Sequence, residues 1–318
     1  MAAKKKPPVE PNPLLEQLRF ISSILAKKGE PNETCCVIAN GAITAFNKPL
    51  SAGILTEAAI SANPPCHQLI AALERCKDGY AMSELRGVVS VNSGPLRVTL
   101  PTVAGLPAST PDGYYSELAP ALFEAIAQVA HIADEDAEHI QSASICVSEG
   151  LVSTTNRNVI MQAYHGLNLP TLMLPKKFVT RVLSVGKAIK GFGCSDNSFT
   201  VFFEDNSWLR TSTMDAEPLP YSSVCAWNGE WFPMSDIWEG LDNVMPFRGN
   251  SDAIRLSDMR METPTASYAV EWSVSHPEIR INADYLKAVK PYVEHFAIDN
   301  GKFYFYKGNV RGVVALMA

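Results

Sequence analysis

A chain of 318 residues, 47% hydrophobic and 19% charged with a mean hydropathy of zero, can bury more than one apolar core. It holds no apolar run of about 18 residues that could span a membrane. Its formal net charge of −6 argues against a protein that is basic all over, yet it leaves room for one surface on which positive side chains gather.

Residues 1–12, with Lys4, Lys5 and Lys6 ahead of Pro7 and Pro8, lack the apolar stretch of a signal peptide and read as a disordered tail. Pro13 opens a helix in which Leu14, Leu15, Leu18, Ile21, Ile24 and Leu25 recur at helical spacing, and residues 29–33 end it. Two strands follow, over 34–45 and on to Ile54. Pro64 and Pro65 start a second helix, and strands around 88–91 and 96–100 complete this part. Residues 104–113, rich in Pro, Gly, Ser and Thr, form a linker. The order then repeats: a helix at 118–132, strands at 143–155 and 159–164, a helix at 175–187 and strands over 192–211. After a second linker at 214–221, with Pro218 and Pro220, come a helix near 235–244, strands at 253–261 and 268–274, a helix at 283–290 and strands at 303–306 and 310–316. Asn92-Ser93-Gly94, Asp205-Asn206, Asp299-Asn300-Gly301 and Gly308-Asn309 supply hairpin turns with residues that tolerate positive φ.

One plan thus recurs three times, an amphipathic helix followed by turn-joined strands. Leu69, Phe178 and Tyr285, at matching places in three helices, are about 109 and about 107 residues apart, the size of a small domain. The expectation is an α+β chain with domains at 13–105, 114–214 and 222–318, each with two helices packed on an antiparallel sheet. The sequence holds no P-loop, Gly-x-Ser-x-Gly or His-Glu-x-x-His. Its six histidines are dispersed without metal-ligand spacing, and Asp134, Glu135, Asp136, Glu138 and His139 read as a solvated loop rather than a metal cluster. Neither a catalytic group, a metal nor a cofactor is expected. The seven cysteines, odd in number and without a Cys-x-x-Cys pair, read as buried free thiols in a reducing cytoplasm.

Four segments, in register with this order, carry a resemblance. Ser93-Gly94-Pro95-Leu96-Arg97-Val98-Thr99-Leu100, residues 150–160, Ile281-Asn282-Ala283-Asp284-Tyr285-Leu286 and Gly312-Val313-Val314-Ala315-Leu316-Met317 resemble segments of the bacterial DNA polymerase III beta subunit, the sliding clamp. The chain is shorter than typical members, as a compact bacteriophage or plasmid variant would be. Asn156-Arg157-Asn158 replaces the family's Asp-Gly-His, Val159 stands at its Arg, and the C-terminal Pro is absent. The resemblance implies a non-enzymatic processivity factor: three tandem clamp domains per chain, closing in a homodimer as a six-domain ring around duplex DNA. Polymerase and clamp loader would dock through short apolar peptide motifs. A clamp-fold platform or decoy for host replication proteins that does not encircle DNA is one alternative. A repeated-module hydrolase or transferase is another.

A sequence-blind hole calls for Lys and Arg opposite the buried stripe of its helices. In residues 175–190, Phe178, Val179, Val182 and Leu183 form the stripe; Lys177, Arg181 and Lys187 lie on another side, with Lys176 and Lys190 flanking. Lys287 and Lys290 come from the final helix, Arg75 and Lys77 from the second, and Arg19, Lys27 and Lys28 from the first. The helix at 118–132 carries Glu124 and no Lys or Arg, so the positive lining is expected to be weak there. By the same resemblance Thr155, Val159, Ile160, Asn282, Tyr285, Val313 and Ala315 line a partner-peptide cleft, with Met317 at its rim. Val98 and Leu100 would meet Met245 and Phe247 across the dimer contact. With Val159 and Asn158 at the family's Arg and His, the expected partner motif is more apolar and less acidic than usual.

Overall fold

The computed structural model describes residues 12–76, 79–111, 113–234, 237–257, 259–270 and 278–317. Apart from Asn12, the expected tail lies outside the described residues, as do Lys77 and part of the strand expected at 268–274. The chain is α+β and forms two compact units. One comprises residues 1–118 and 184–212, the other 119–183 and 213–318, so the segment expected as a single domain at 114–214 contributes to both.

In the first unit, Asn12 caps helix α1 (Pro13–Ser22) by accepting from the Leu15 N–H, and Pro13 sits where a missing N–H costs nothing. The helix ends at Ser22, short of the expected Leu25. The N–H groups of Ser23, Ile24 and Leu25 bond three residues back, to the carbonyls of Phe20, Ile21 and Ser22. These tightened turns still bury Ile24 and Leu25, but they leave Lys27 and Lys28 on a loop rather than on the helix. A single turn, α2 (Pro31–Thr34), follows, and α1 packs on α3 (Cys66–Leu73) through buried Leu18, Ile21, Leu69 and Leu73.

These helices accompany an antiparallel seven-stranded sheet in the order Val37–Ala39, Ala42–Asn47, Leu50–Leu55, Trp208–Ser212, Ser198–Phe203, Ile189–Ser195, Tyr114–Glu117. Trp208 lies opposite Gly53, where an added Cβ would stand 2.4 Å from the indole; only glycine admits the ring. A three-stranded sheet, Ala81–Leu85, Val88–Ser93 and Leu96–Pro101, completes the unit with Leu96–Pro101 at an edge.

In the second unit, α4 (Pro120–Val129) continues as a 3-10 turn to Ile132 and packs on the strands Leu151–Thr155 and Val159–Tyr164. Helix α5 (Lys176–Ser184) buries Phe178, Val179 and Val182, but it ends before Lys187, and Leu183 is exposed rather than part of the stripe. A single turn, α6 (Tyr221–Val224), precedes α7 (Trp238–Val244), and α8 (Ala283–Val289) closes the series. Met245 and Phe247 lie on a 3-10 turn that continues from α7.

The eight-stranded sheet of this unit runs Leu172–Pro175, Ser144–Ser148, Leu151–Thr155, Val159–Tyr164, Val310–Ala315, Lys302–Lys307, His295–Asp299, Phe232–Pro233. The stretch expected as one strand at 143–155 is two, folded back at Glu149 and Gly150. A four-stranded sheet pairs Ser267–Ala269, Arg260–Glu262, Ala253–Ser257 and Ile279–Asn282.

The join between Val159–Tyr164 and Val310–Ala315 holds the large sheet together, with Ile160 opposite Val313 and Met161 opposite Gly312. A Cβ on Gly312 would meet the Ile160 carbonyl oxygen at 2.5 Å and the Phe305 ring at 2.4 Å. A backbone atom cannot give way as a flexible side chain can. Gly312→Ala is therefore expected to lower the unfolding free energy by about 1–3 kcal/mol, the usual penalty of overpacking, read from urea denaturation; an unchanged midpoint would show that the strands can part freely.

Candidate functional site

Strand alternation gives the eight-stranded sheet two unlike faces. Val152, Thr154, Val159, Met161 and Ala163 share the face on which α4 packs. Thr155, Ile160, Gln162, Tyr164, Val313, Arg311, Tyr304 and Tyr306 share the other, by the registers Thr155–Ile160–Val313–Tyr304 and Gln162–Arg311–Tyr306.

The segment 221–231 crosses this second face. Cys225 packs with Ala297, Tyr304 and Val313, and half-buried Ile160, Val224, Trp227 and Trp231 surround them. Tyr221 packs with Cys146 and Met173, again beside Ile160 and with Met214. Ile160 thus sits between two apolar clusters. Burial pushes the Cys146 thiol up to about 11 and the Cys225 thiol up to about 12, and burial beside Cys146 pushes the Tyr221 phenol up as well. These groups are neutral and serve as apolar surface. All seven cysteines are free thiols.

One end of this apolar strip has a polar frame. Thr155 donates its hydroxyl to the Val159 carbonyl (2.8 Å) and accepts from the Arg157 N–H (2.9 Å), while Asn156 Oδ1 accepts from the N–H groups of Asn158 and Val159. That closed turn, with Arg157 at φ +79°, presents Asn158, whose Nδ2 donates to the Tyr285 hydroxyl at 3.0 Å. The Asn158 carbonyl accepts from the Ala315 N–H at 2.7 Å. Asn282 Oδ1 caps α8 by accepting from the Asp284 and Tyr285 N–H groups at 2.9 and 3.1 Å. The last residues are tied down too, Leu316 N–H to Gly301 and Met317 N–H to Arg280.

The residues expected in the cleft therefore fall in one continuous region, but in different roles. Ile160, Tyr285, Ala315 and Met317 (40% exposed) offer surface. Thr155 and Val159, 1% and 0% exposed, cannot touch a ligand; they shape the turn from beneath. Val313 is nearly buried, and the Asn282 side-chain oxygen is committed to the helix cap. Tyr221, Val224, Cys225 and Met214 form walls that sequence reasoning assigns to a linker or overlooks. The signal for them is the apolar and aromatic residues recurring just after Pro218 and Pro220, where a solvated linker would be polar.

The rim also keeps a cation. Arg157 is exposed and meets His139 Nε2 at 3.2 Å, beside a hollow of about 280 Å³ that Asp134 and Glu138 also line. Among the described residues, no three His, Cys, Asp or Glu are placed to hold a metal ion.

The expected DNA-facing cations differ in how they are held. Arg19 pairs with Glu16 (2.6 Å) and Glu74 (2.9 Å), and Lys290 pairs with Asp242 (2.8 Å). Lys187 pairs with Asp205 (2.5 Å), bonds Ser207 and lies over the Phe20 ring at 3.9 Å. Lys176 bonds the Ala130 carbonyl, and burial lowers its pKa despite the attraction of Glu135. Arg181 is half-buried and has interactions of its own. Lys27, Lys28, Arg75, Lys177, Lys190 and Lys287 are exposed, and their side chains make no hydrogen bond or ion pair among the described residues. Lys177 and Lys287 belong to the second unit, the other four to the first.

This architecture is the α+β fold of the DNA sliding clamps. The DNA polymerase sliding clamp from Pseudomonas aeruginosa matches with a TM-score of 0.79 at 15% identity, over 96% of this chain and 97% of that one. The pol III beta of Caulobacter crescentus gives 0.79 at 16%, and the Helicobacter pylori beta clamp bound to a DNA ligase peptide gives 0.77 at 12%, with the same coverage of both chains. Neither a protein-family profile nor a curated protein sequence matches the chain. Among the described residues, no helix is long and apolar enough to cross a membrane.

Asn282→Ala removes the cap that positions Tyr285. It should cost about 1 kcal/mol of stability, within the usual 0.5–2 for a missing N-cap, and loosen the Tyr285 ring. Chemical denaturation together with ring-proton line widths checks this; full stability with an unchanged ring signal would remove Asn282 from the frame.

Proposed function

We propose that this chain is a non-enzymatic DNA sliding clamp, two copies of which close head to tail around duplex DNA and tether a polymerase through the cleft at Ile160 and Tyr285. The observation that carries this reading is the match over 96% of the chain and 97% of the clamp, combined with an apolar strip framed by Asn158 and Tyr285. A half-length match would have supported only a borrowed module. The three sequence repeats at 13–105, 114–214 and 222–318 are taken as its domains. Six of them, from two chains, suffice for a hole that three could not close.

Val98 and the edge strand Leu96–Pro101 on one chain, and Met245 and exposed Phe247 on the other, are the proposed contact. Leu100, buried within its own unit, supports this contact rather than forming it. Grip on DNA falls to the cations without carboxylate partners, among them Lys28, Lys177, Lys190 and Lys287, because a cation already paired on its own surface has little charge left for phosphate. A solution mass of two chains, together with retention on circular but not on linear DNA, is the expected result. Replacing Lys177, Lys190 and Lys287 with Glu should abolish that retention and flatten the logarithmic salt dependence by up to about 1 for each phosphate no longer neutralised. Affinity that follows base sequence, or a strictly monomeric chain at micromolar concentration, would overturn the ring.

The partner is a short peptide with Leu or Phe anchors, the anchors resting on Ile160, Val224 and Met214 and the backbone meeting Tyr285 and Asn158. Asp134 and Glu138 line the same hollow as Arg157, which favours a peptide less acidic than the family's usual motif. Tyr285→Ala should weaken a polymerase-derived peptide by about 1–3 kcal/mol in calorimetric titration, with the dimer mass unchanged. Equal affinities would place the partner site elsewhere.

A further inference from the structure

Beside the crossing segment 221–231, whose Trp227 and Trp231 form one wall, the sheet face that carries Ile160 opens into a second hollow of about 850 Å³. Gln162, Tyr164, Trp227, Trp231, Tyr306 and Arg311 give it its character. None of these residues belongs to the frame built by Asn158, Asn282 and Tyr285.

The aromatic side chains are fixed. Trp227 stacks on Tyr304 with centroids 5.3 Å apart, and its indole N–H donates to the Glu230 carbonyl at 3.0 Å. Trp231 meets Tyr306 edge-on at 4.7 Å, and Tyr306 stacks on His295 at 4.7 Å. Tyr164, at the mouth, is 60% exposed. Rigid rings lining an open hollow lose little entropy when they receive another ring.

The charge in the hollow is unmatched. Arg311 is half-buried, and its Nε donates to Gln162 Oε1 at 3.0 Å. Gln162 is held in turn by Ser153 (2.9 Å) and Ser222 (3.3 Å). No carboxylate among the described residues pairs with this guanidinium. The nearby Cys225 thiol is pushed up to about 12 by burial and is no counter-ion. Glu149, at the lip, is exposed on a hairpin turn and makes no ion pair with it. A guanidinium anchored through Nε retains its two Nη groups for a bidentate carboxylate, and partial burial strengthens that attraction. The same charge disfavours a cationic ligand among the rings.

We propose that this hollow is a second docking site, for a protein segment that presents an aromatic side chain beside a carboxylate. The ring seats among Trp227, Trp231 and Tyr306, and the carboxylate meets Arg311. The proposal does not depend on the clamp reading, and the site stands apart from Tyr285.

N-acetyltryptophan and N-acetyltryptophanamide, an indole with and without the adjacent carboxylate, test it by saturation-transfer NMR on the full chain. The acid should bind at least about fivefold tighter than the amide, the scale of one charge-assisted hydrogen-bonded pair. Arg311→Gln should erase that preference, Arg311→Lys should retain part of it, and Tyr285→Ala should leave both affinities unchanged. Circular-dichroism melts confirm folding of each variant. If Arg311→Gln does not fold, the acid–amide comparison on the unaltered chain and Arg311→Lys still decide. No binding by either probe, equal binding of the two, or loss of binding in Tyr285→Ala would overturn the proposal.

Discussion

The antiparallel pairing of Val159–Tyr164 with Val310–Ala315 is the constraint on which the second unit rests. It joins strands from the middle of the chain to strands from its end, and one register decides every side chain on both faces. With Ile160 opposite Val313, the residues Ile160, Gln162 and Tyr164 face the crossing segment while Val159, Met161 and Ala163 face α4. A slip of one residue would exchange the two sets, placing Gln162 and Arg311 in the helix-covered core. Gly312 guards that register by letting the Phe305 ring and the Ile160 carbonyl close over a position without a side chain.

Much of the fold is legible in the sequence because helix stripes and turn residues are local signals. Phe178, Val179 and Val182, spaced for a helix, are the side chains α5 buries, and Gly94, Asn206 and Asn300 take positive φ in turns. Helix ends are less legible. After Ser22 the backbone tightens into three-residue turns, and Ile24 and Leu25 stay buried without being helical, so an apolar periodicity outlasts the helix that it suggests. Hairpin partners are legible through their turn residues, but partners distant in sequence are not. That Trp208–Ser212 pairs with Leu50–Leu55 depends on Gly53 leaving room for the Trp208 ring, a contact between residues far apart in sequence.

The site is legible in part, and through resemblance more than pattern. Asn282, Tyr285, Ile160 and Val313 do come together, but composition alone would assign the valines and isoleucine to strand core. Val159 and Thr155 are core. The crossing segment escapes sequence reasoning because Pro218 and Pro220 mark a linker, and proline says nothing about whether the following residues lie on a sheet. The cations show the same limit. Sequence spacing puts Arg19, Lys187 and Lys290 on exposed faces, yet each is paired with a carboxylate of its own unit. In an acidic chain such pairing is common, and it decides which lysines remain available to phosphate.

The division of labour on the large sheet follows from where hydrogen-bonding capacity is already used. At the Tyr285 end, Thr155, Asn156 and Asn282 direct their polar atoms to their own backbone, so what remains for a ligand is apolar area, the Tyr285 ring and Asn158. Recognition there must come from burying side chains, with the closed turn supplying rigidity. Where Trp227 and Trp231 flank the sheet the balance reverses. Gln162 is held by Ser153, Ser222 and Arg311, whereas Arg311 has only Gln162 as a side-chain partner among the described residues, so its charge is left without a counter-ion. One register thus produces two surfaces with different demands: a neutral strip that selects for shape and apolar area, and a hollow whose half-buried cation selects for charge.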